Sequence, residues 1–319
     1  MPLRIVFCGT PAFGLPSLKK LLAAPEFSVE AVITQPDRPR GRGHNPAHSP
    51  IKDAALEAGL QIYQPEKIKS ADAVEFLKRI APDVVVIIAY GQIIPCALLE
   101  IPKLGWINLH GSLLPRYRGA APIQRAILNG DTRTGLTTMR IDAGLDTGPI
   151  LEQLEMEIGA DETAPELMAR MGDAGAPLLI HTLQQLSNAE LTPKPQNNAL
   201  ATFAPPLKKE EGLLDWNRPA REIYNRIRAF QPWPGAYTHF RGRSCHVWGR
   251  PAETPAGAGA REPGSVVESH GDMHVACGEE TWLRVEYIQP EGRKRMSASE
   301  FANGARISSA EKFTSQQQF

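Results

Sequence analysis

Asn108 and His110 stand two residues apart where residues 106–109, Trp-Ile-Asn-Leu, read as a short strand. Side chains two apart on an extended chain leave the same face of it, so an amide and an imidazole would project together. That pair suits a reaction in which negative charge builds on an oxygen while a proton changes hands. A third group, Asp146, lies in the turn Asp142-Ala143-Gly144-Leu145-Asp146-Thr147-Gly148-Pro149, whose glycines allow a carboxylate to swing back toward the pair. Each residue also has a plain structural reading. A single His after a strand is commonly structural, Asn108 can bond a neighbouring backbone group, and Asp146 before Thr147-Gly148 is an ordinary turn residue. From residue types and spacing alone both readings stay open.

Other chemistries find no template. Gly9-Thr10-Pro11-Ala12-Phe13-Gly14 lacks the spacing of a dinucleotide fingerprint, and Pro11 removes a phosphate-facing N–H. There is no phosphate-cradling Gly-Lys-Ser/Thr, no Gly-x-Ser-x-Gly around Ser112, and no His-Glu-x-x-His, so no metal is expected. Cys8, at a strand end, is expected to be a small buried thiol rather than a nucleophile. Residues 35–48, Gln-Pro-Asp-Arg-Pro-Arg-Gly-Arg-Gly-His-Asn-Pro-Ala-His, carry Arg38, Arg40 and Arg42 with only Asp37 to balance them. Isolated runs of this kind are usually solvated connections, yet loops this long in compact domains are usually functional or disordered.

The elements that must position these residues come from periodicity. Residues 3–8, 29–34 and 83–89 read as strands, and residues 15–22, 51–58 and 73–80 place apolar side chains at helical spacing. Such alternation implies a mostly parallel, doubly wound sheet, with the continuous apolar run at 84–88 as a central strand. Residues 135–141 alternate like a strand exposed on one face, and residues 162–186 read as a long helix. Residues 191–206, with Pro193, Pro195, Pro205 and Pro206, show no period and read as a linker. Beyond them an amphipathic helix at 220–230 and short alternating segments between Gly- and Pro-rich turns imply a small β-barrel. The division expected is therefore residues 1–190, a linker at 191–208, and residues 209–319. Lys plus Arg equal Asp plus Glu at 35 each, so any polyanionic partner must be met by a local patch. Clusters at Arg218, Arg221, Arg226 and Arg228, and at Arg293-Lys294-Arg295, could touch phosphates, although solvated charge is the default. The four scattered cysteines suit a reducing compartment, and no signal peptide or membrane span is evident, which points to the cytoplasm.

These motifs together resemble the methionyl-tRNA formyltransferase family. The likeness runs over nearly the whole chain: Gly-Thr-Pro-x-Phe at 9–13, the Gln-Pro-Asp-Arg-Pro loop with Gly41-Arg42-Gly43, residues 108–124, residues 142–150, and Ile227-Arg228-Ala229-Phe230-Gln231-Pro232-Trp233-Pro234-Gly235-Ala236. Ser112-Leu113-Leu114-Pro115 is shared by folate-dependent formyltransferases generally, and the Gly-Arg-Gly loop narrows the match. The resemblance implies a formyltransferase-like first domain and an OB-like C-terminal barrel. It implies 10-formyltetrahydrofolate as co-substrate, methionyl initiator tRNA as acceptor, and no stable protein partner. Asn108, His110 and Asp146 would be catalytic, acting on a tetrahedral oxyanion. Ile88, Ala89, Tyr90, Gly91 and Gln92, with Ser112, Leu113, Leu114, Pro115 and Asp142, would line the folate site. Arg38, Arg40 and Arg42 would meet tRNA. The family commonly has lysines after Gly-Arg-Gly, where this chain has His44-Asn45-Pro46-Ala47-His48. The alternative acceptor is a small amine such as an amino sugar nucleotide, which has less need of the basic loop.

Overall fold

The computed structural model describes residues 1–39, 46–307 and 311–315. In chain order the elements are β1 (Leu3–Gly9), α1 (Leu15–Ala23), β2 (Phe27–Ile33), β3 (Arg38–Pro39), β4 (Pro46–Ala47), α2 (Pro50–Glu57), β5 (Gln61–Tyr63), α3 (Ala71–Ile80), β6 (Val84–Ile88), α4 (Cys96–Leu99), β7 (Trp106–His110) and α5 (Pro122–Leu128). They continue with β8 (Arg133–Arg140), β9 (Ile150–Glu157), α6 (Ala164–Ser187), α7 (Ala220–Ala229), β10 (Tyr237–Phe240), β11 (Arg243–Ala252), β12 (Val266–Ser269), β13 (Asp272–Ala276), β14 (Trp282–Pro290), β15 (Met296–Ser297) and α8 (Ala298–Ala305). Two compact units result. One comprises Met1–Ile123, Arg133–Ile158 and Glu166–Pro206; the other comprises Gln124–Thr132, Gly159–Pro165 and Leu207–Phe319.

In the first unit seven strands lie in the order β5-β2-β1-β6-β7-β8-β9. Pairing is parallel from β5 to β7 and antiparallel across β7, β8 and β9. The order reverses at β1, and in open sheets of this kind ligands gather at the carboxyl ends of the strands. All five residues of β6 are buried, as a strand covered on both faces requires. Cys8 of β1 is fully buried, and burial pushes its thiol pKa well up, so it is a core residue and no thiolate nucleophile. On one face α3 contributes Ala73, Phe76, Leu77 and Ile80, at helical spacing, to a core with Val6, Ile33, Val85 and Ile87. At Gly175, α6 closes on the sheet: a Cβ there would stand 2.6 Å from Leu109 Cδ2.

One expectation needs correction. Residues 135–141 alternate in polarity, yet β8 is buried on both faces from Thr134 to Met139. Its hydroxyls are consumed inside: Thr138 bonds Thr182 of α6 at 2.9 Å, while Thr137 donates to the Ser112 carbonyl at 2.7 Å on the opposite face. The Pro-rich stretch read as a linker makes backbone hydrogen bonds of its own. Lys194 and Ile150 exchange backbone hydrogen bonds, both 2.8 Å, and Arg118 and Ala204 are joined at 2.7 Å, so this stretch is strapped along the first unit. Strands β5 and β9 and helices α4 and α5 were not anticipated.

The second unit is an antiparallel sheet in the order β10-β11-β14-β13-β12, with β15 on β14. Residues 311–315 bridge both edges, through Thr314 to His239 of β10 and through Lys312 to Ser265 beside β12, which gives the sheet the closed character expected of a small barrel. Ile223, Tyr224 and Ile227 of α7 and Phe301 of α8 join its core. Trp216 stacks on Phe313 and donates its indole N–H to Thr238 at 2.9 Å. Among the described residues no helix is long and apolar enough to cross a membrane, and no three metal-ligating side chains gather.

Candidate active site

Leu109 faces α6, so its neighbours Asn108 and His110 leave β7 on the other face. His110 is buried, and its Nε2 lies 2.9 Å from the Tyr117 carbonyl. A carbonyl only accepts, so Nε2 carries a proton and Nδ1 is the nitrogen left to exchange one with a substrate. Nδ1 is 3.8 Å from Asp146 Oδ2. That is too long for a hydrogen bond but close enough for the carboxylate to offset positive charge developing on the ring. The ring is therefore oriented by Tyr117, not by Asp146 as a triad-like reading would have it. The Gly119 N–H donates to Asp146 Oδ2 at 2.8 Å and holds the carboxylate in place.

The loop bearing Asp146 is shaped by its sequence. Asp146 adopts a left-handed φ of 50°, which a short polar side chain tolerates. Asp142 Oδ1 accepts from the Gly144 N–H at 3.0 Å and from the Thr147 hydroxyl at 2.7 Å, so Asp142 holds the turn. A Cβ at Gly148 would lie 1.8 Å from the Arg140 carbonyl oxygen, so only glycine allows the chain to return. Asn108 sits half-buried, in register between Ile87 of β6 and Met139 of β8.

The residues expected to line a folate site divide into two groups. Ser112, Leu113, Leu114 and Pro115 are fastened to the sheet: Ser112 Oγ donates to the Arg116 carbonyl, Leu114 N–H donates to Thr137 Oγ1, and Gln153 Nε2 donates to the Leu114 carbonyl. Ser112 and Leu114 are buried and shape the wall from behind. At the end of β6, Ile88 and Tyr90 are buried as well, and Gln92 turns its amide oxygen to the Ile68 N–H. Ala89 and Gly91 are exposed in left-handed backbone, with φ of 49° and 88°. They present main chain rather than side chain, directly beside β7.

Formyl transferase is the family that matches residues 3–183, and its C-terminal domain matches residues 206–306. Methionyl-tRNA formyltransferase of Solibacter usitatus is 52% identical over 310 residues, covering 97% of this chain and 98% of its own. That of Koribacter versatilis is 49% identical, covering 97% of each. This chain belongs to the methionyl-tRNA formyltransferase family. Its fold also recurs in more distant proteins. An N-formyltransferase from Helicobacter canadensis, solved with folinic acid and dTDP-3-aminofucose, superposes with a TM-score of 0.64 at 19% identity, over 91% of this chain and all of that one. HypX from Aquifex aeolicus, solved with tetrahydrofolic acid, gives 0.62 at 13% identity, over 95% of this chain and 47% of that one.

Outside the β7 end, this member of the methionyl-tRNA formyltransferase family is less uniform. Arg38 is exposed on β3, which pairs with β4 through Ala47. Arg40 and Arg42, with His44, lie outside the described residues. His48 Nδ1 is 3.0 Å from Asp53 Oδ1 and its Nε2 is 3.7 Å from Asp37 Oδ2, so its ring is already met by carboxylates. Of the second unit's arginines, Arg226 donates to the Glu211 carbonyl, and burial lowers its pKa. Arg228 is buried against the Gly159 and Glu162 carbonyls, at 3.2 and 3.1 Å. Neither is the solvated phosphate-seeking charge that the sequence clusters suggested. Tyr117 and Gly119 were missed as site residues because they act through backbone groups; Arg116-Tyr117-Arg118-Gly119 stands out in composition, but nothing in it marks a carbonyl or an N–H.

Proposed function

We infer that this chain transfers the formyl group of 10-formyltetrahydrofolate to the α-amino group of methionyl initiator tRNA in the cytoplasm. The observation that carries the reading is close likeness to methionyl-tRNA formyltransferases over the full length, C-terminal domain included. Residues 1–190 would be the catalytic domain, residues 191–208 the linker, and residues 209–319 the part that engages tRNA. The structural neighbours that act on amino sugars share only the fold at this identity.

The chemistry follows from the β7 end. When an amine adds to a formyl carbon, negative charge develops on the formyl oxygen and the departing nitrogen needs a proton. The Asn108 amide is the donor for the oxygen, and a donor so placed typically lowers the barrier by about 2.7–4 kcal/mol. His110 Nδ1 takes the proton shed by the attacking amine and passes it to the folate nitrogen as the old C–N bond breaks, and Asp146, across 3.8 Å, offsets the imidazolium charge formed in between. Ala89, Gly91 and the residues 142–145 turn would receive the pterin through main-chain groups, with Ile88, Tyr90, Gln92, Ser112, Leu113, Leu114 and Pro115 as the supporting wall. Arg38, Arg40 and Arg42 would reach the tRNA backbone.

The test supplies 10-formyltetrahydrofolate with methionyl initiator tRNA, free methionine or a dTDP-amino sugar, and follows the formylated product of each. Rapid formylation of the charged tRNA and negligible turnover of the other two is expected. Preferential formylation of the amino sugar would overturn the reading.

A further inference from the structure

Arg118 is 4% exposed, and its guanidinium is received by neutral oxygens: Nε and Nη2 donate to Gln196 Oε1 at 3.0 and 2.7 Å, and Nη2 donates to Asn198 Oδ1 at 2.8 Å. Gln196 uses its other end on the Asp146 loop, where Nε2 donates to the carbonyls of Asp146 at 2.8 Å and Gly148 at 2.7 Å. A guanidinium only donates and a carbonyl only accepts, so this amide has a single orientation. The backbone repeats the connection. Arg118 N–H donates to the Thr202 carbonyl, Ala204 N–H donates to the Arg118 carbonyl, and Tyr117 N–H donates to Thr202 Oγ1. Tyr117 supplies the carbonyl that fixes His110, and Gly119 supplies the N–H that fixes Asp146. One amide from the Pro-rich strap therefore joins the segment that orients the imidazole to the loop that carries the carboxylate.

We propose that Gln196 and Arg118 are positioning residues that set the approach of Asp146 to His110 Nδ1. The part of the chain that reads as a tether between domains thus fixes the geometry of the chemistry. The proposal rests on the reading that His110 and Asp146 take part in formyl transfer. Loop backbone held at two points by one rigid amide cannot drift, and a misplacement of about 1 Å at such a group costs up to a hundredfold in rate. Gln196 touches neither the formyl donor nor the acceptor amine in this scheme. Its loss should lower kcat and leave KM for methionyl-tRNA alone.

Gln196→Glu separates the two halves of the clamp, because a carboxylate still satisfies Arg118 but sets an oxygen against the Asp146 and Gly148 carbonyls. Its kcat should fall about tenfold or more, with KM for methionyl-tRNA unchanged and with the fold retained by circular dichroism. Combined with Asp146→Asn, it should add little to the loss caused by Asp146→Asn alone. Gln196→Met, of similar length and without either hydrogen bond, gives the same comparison should the charged variant not accumulate. A parental kcat in both Gln196 variants, or losses that multiply with Asp146→Asn, would overturn the clamp. An Asp146→Asn enzyme with parental kcat would instead remove the catalytic reading beneath it, and the two failures are told apart by that single mutant.

Discussion

The end of β7 and the basic loop between β3 and β4 belong to the same unit, yet they are built on opposite rules. Around His110 every partner is fixed: a carbonyl holds Nε2, an N–H holds Asp146, and long-range hydrogen bonds hold both of those segments. At the loop, Arg38 is exposed on a two-residue ladder. Moving a proton across a few ångströms needs the first design, whereas meeting a row of phosphates needs only the second. Damage at β7 should therefore appear in kcat and damage at the loop in affinity and salt dependence.

The largest effect belongs to the β7 pair. His110→Ala and Asn108→Ala should each lower kcat by about a hundredfold or more, while methionyl-tRNA still binds. Steady-state kinetics with a parallel binding measurement decide this. Near-parental kcat in both variants would erase the contrast between the two regions.

Next comes an arginine that resembles the loop in composition and the β7 end in construction. Arg228 is buried, and its removal strands the Gly159 and Glu162 carbonyls. Arg228→Met should lower unfolding stability by about 3 kcal/mol and leave the salt dependence of tRNA binding unchanged. Urea denaturation and a salt titration read the two quantities separately. A flatter salt slope with parental stability would return Arg228 to the phosphate-contacting group.

What was legible in the chain follows the same division. The parallel sheet could be read because β6, β1 from Ile5 onward and β2 from Ala31 onward bury both faces and need apolar runs. Asn108 and His110 could be paired because strand alternation is a local rule. The faces of β8 were misread because Thr134, Thr137 and Thr138 are polar, and nothing local says that Ser112 and Thr182 will satisfy two of those hydroxyls. Strand β9, Ile-Leu-Glu-Gln-Leu-Glu-Met-Glu, is an acidic sheet edge with weak strand character. The strap at 191–206 has no period because its partners, such as Ile150 for Lys194 and Arg118 for Phe203, are distant in sequence and arrive one at a time. Backbone roles, those of Tyr117 and Gly119, leave no trace in side-chain identity.

A smaller effect is expected at the loop itself. Arg40→Ala with Arg42→Ala should weaken methionyl-tRNA binding and flatten its dependence on salt by roughly one unit per lost phosphate contact. Affinity for 10-formyltetrahydrofolate should not move. Identical slopes in the parent and the double variant would make the loop a solvated connection, and the amino-sugar reading would gain.

The smallest effect concerns the histidines that stand where the family has lysines. His48 is exposed, but both ring nitrogens face carboxylates, Asp53 at 3.0 Å and Asp37 at 3.7 Å. A phosphate would have to displace those partners, so His48 is a poor substitute for a lysine. The root of the loop stays intact through the relevant pH range. The Asp37 carboxyl is held below the usual carboxylate range, first by its hydrogen bond from Lys52 and then by Gln64. Its contribution to stability is present above the ordinary carboxylate pKa of about 3.9 and is lost only as pH falls through the lower folded value. Salt titrations at pH 7.5 and 6.0 are therefore made with the Asp37–Lys52 pair intact at both. If the parental slope steepens at the lower pH, that steepening should survive His48→Ala and disappear in His44→Ala. The reverse pattern would show that Asp53 and Asp37 release His48 to the tRNA, and that the ion pairs at the base of the loop yield to the phosphates.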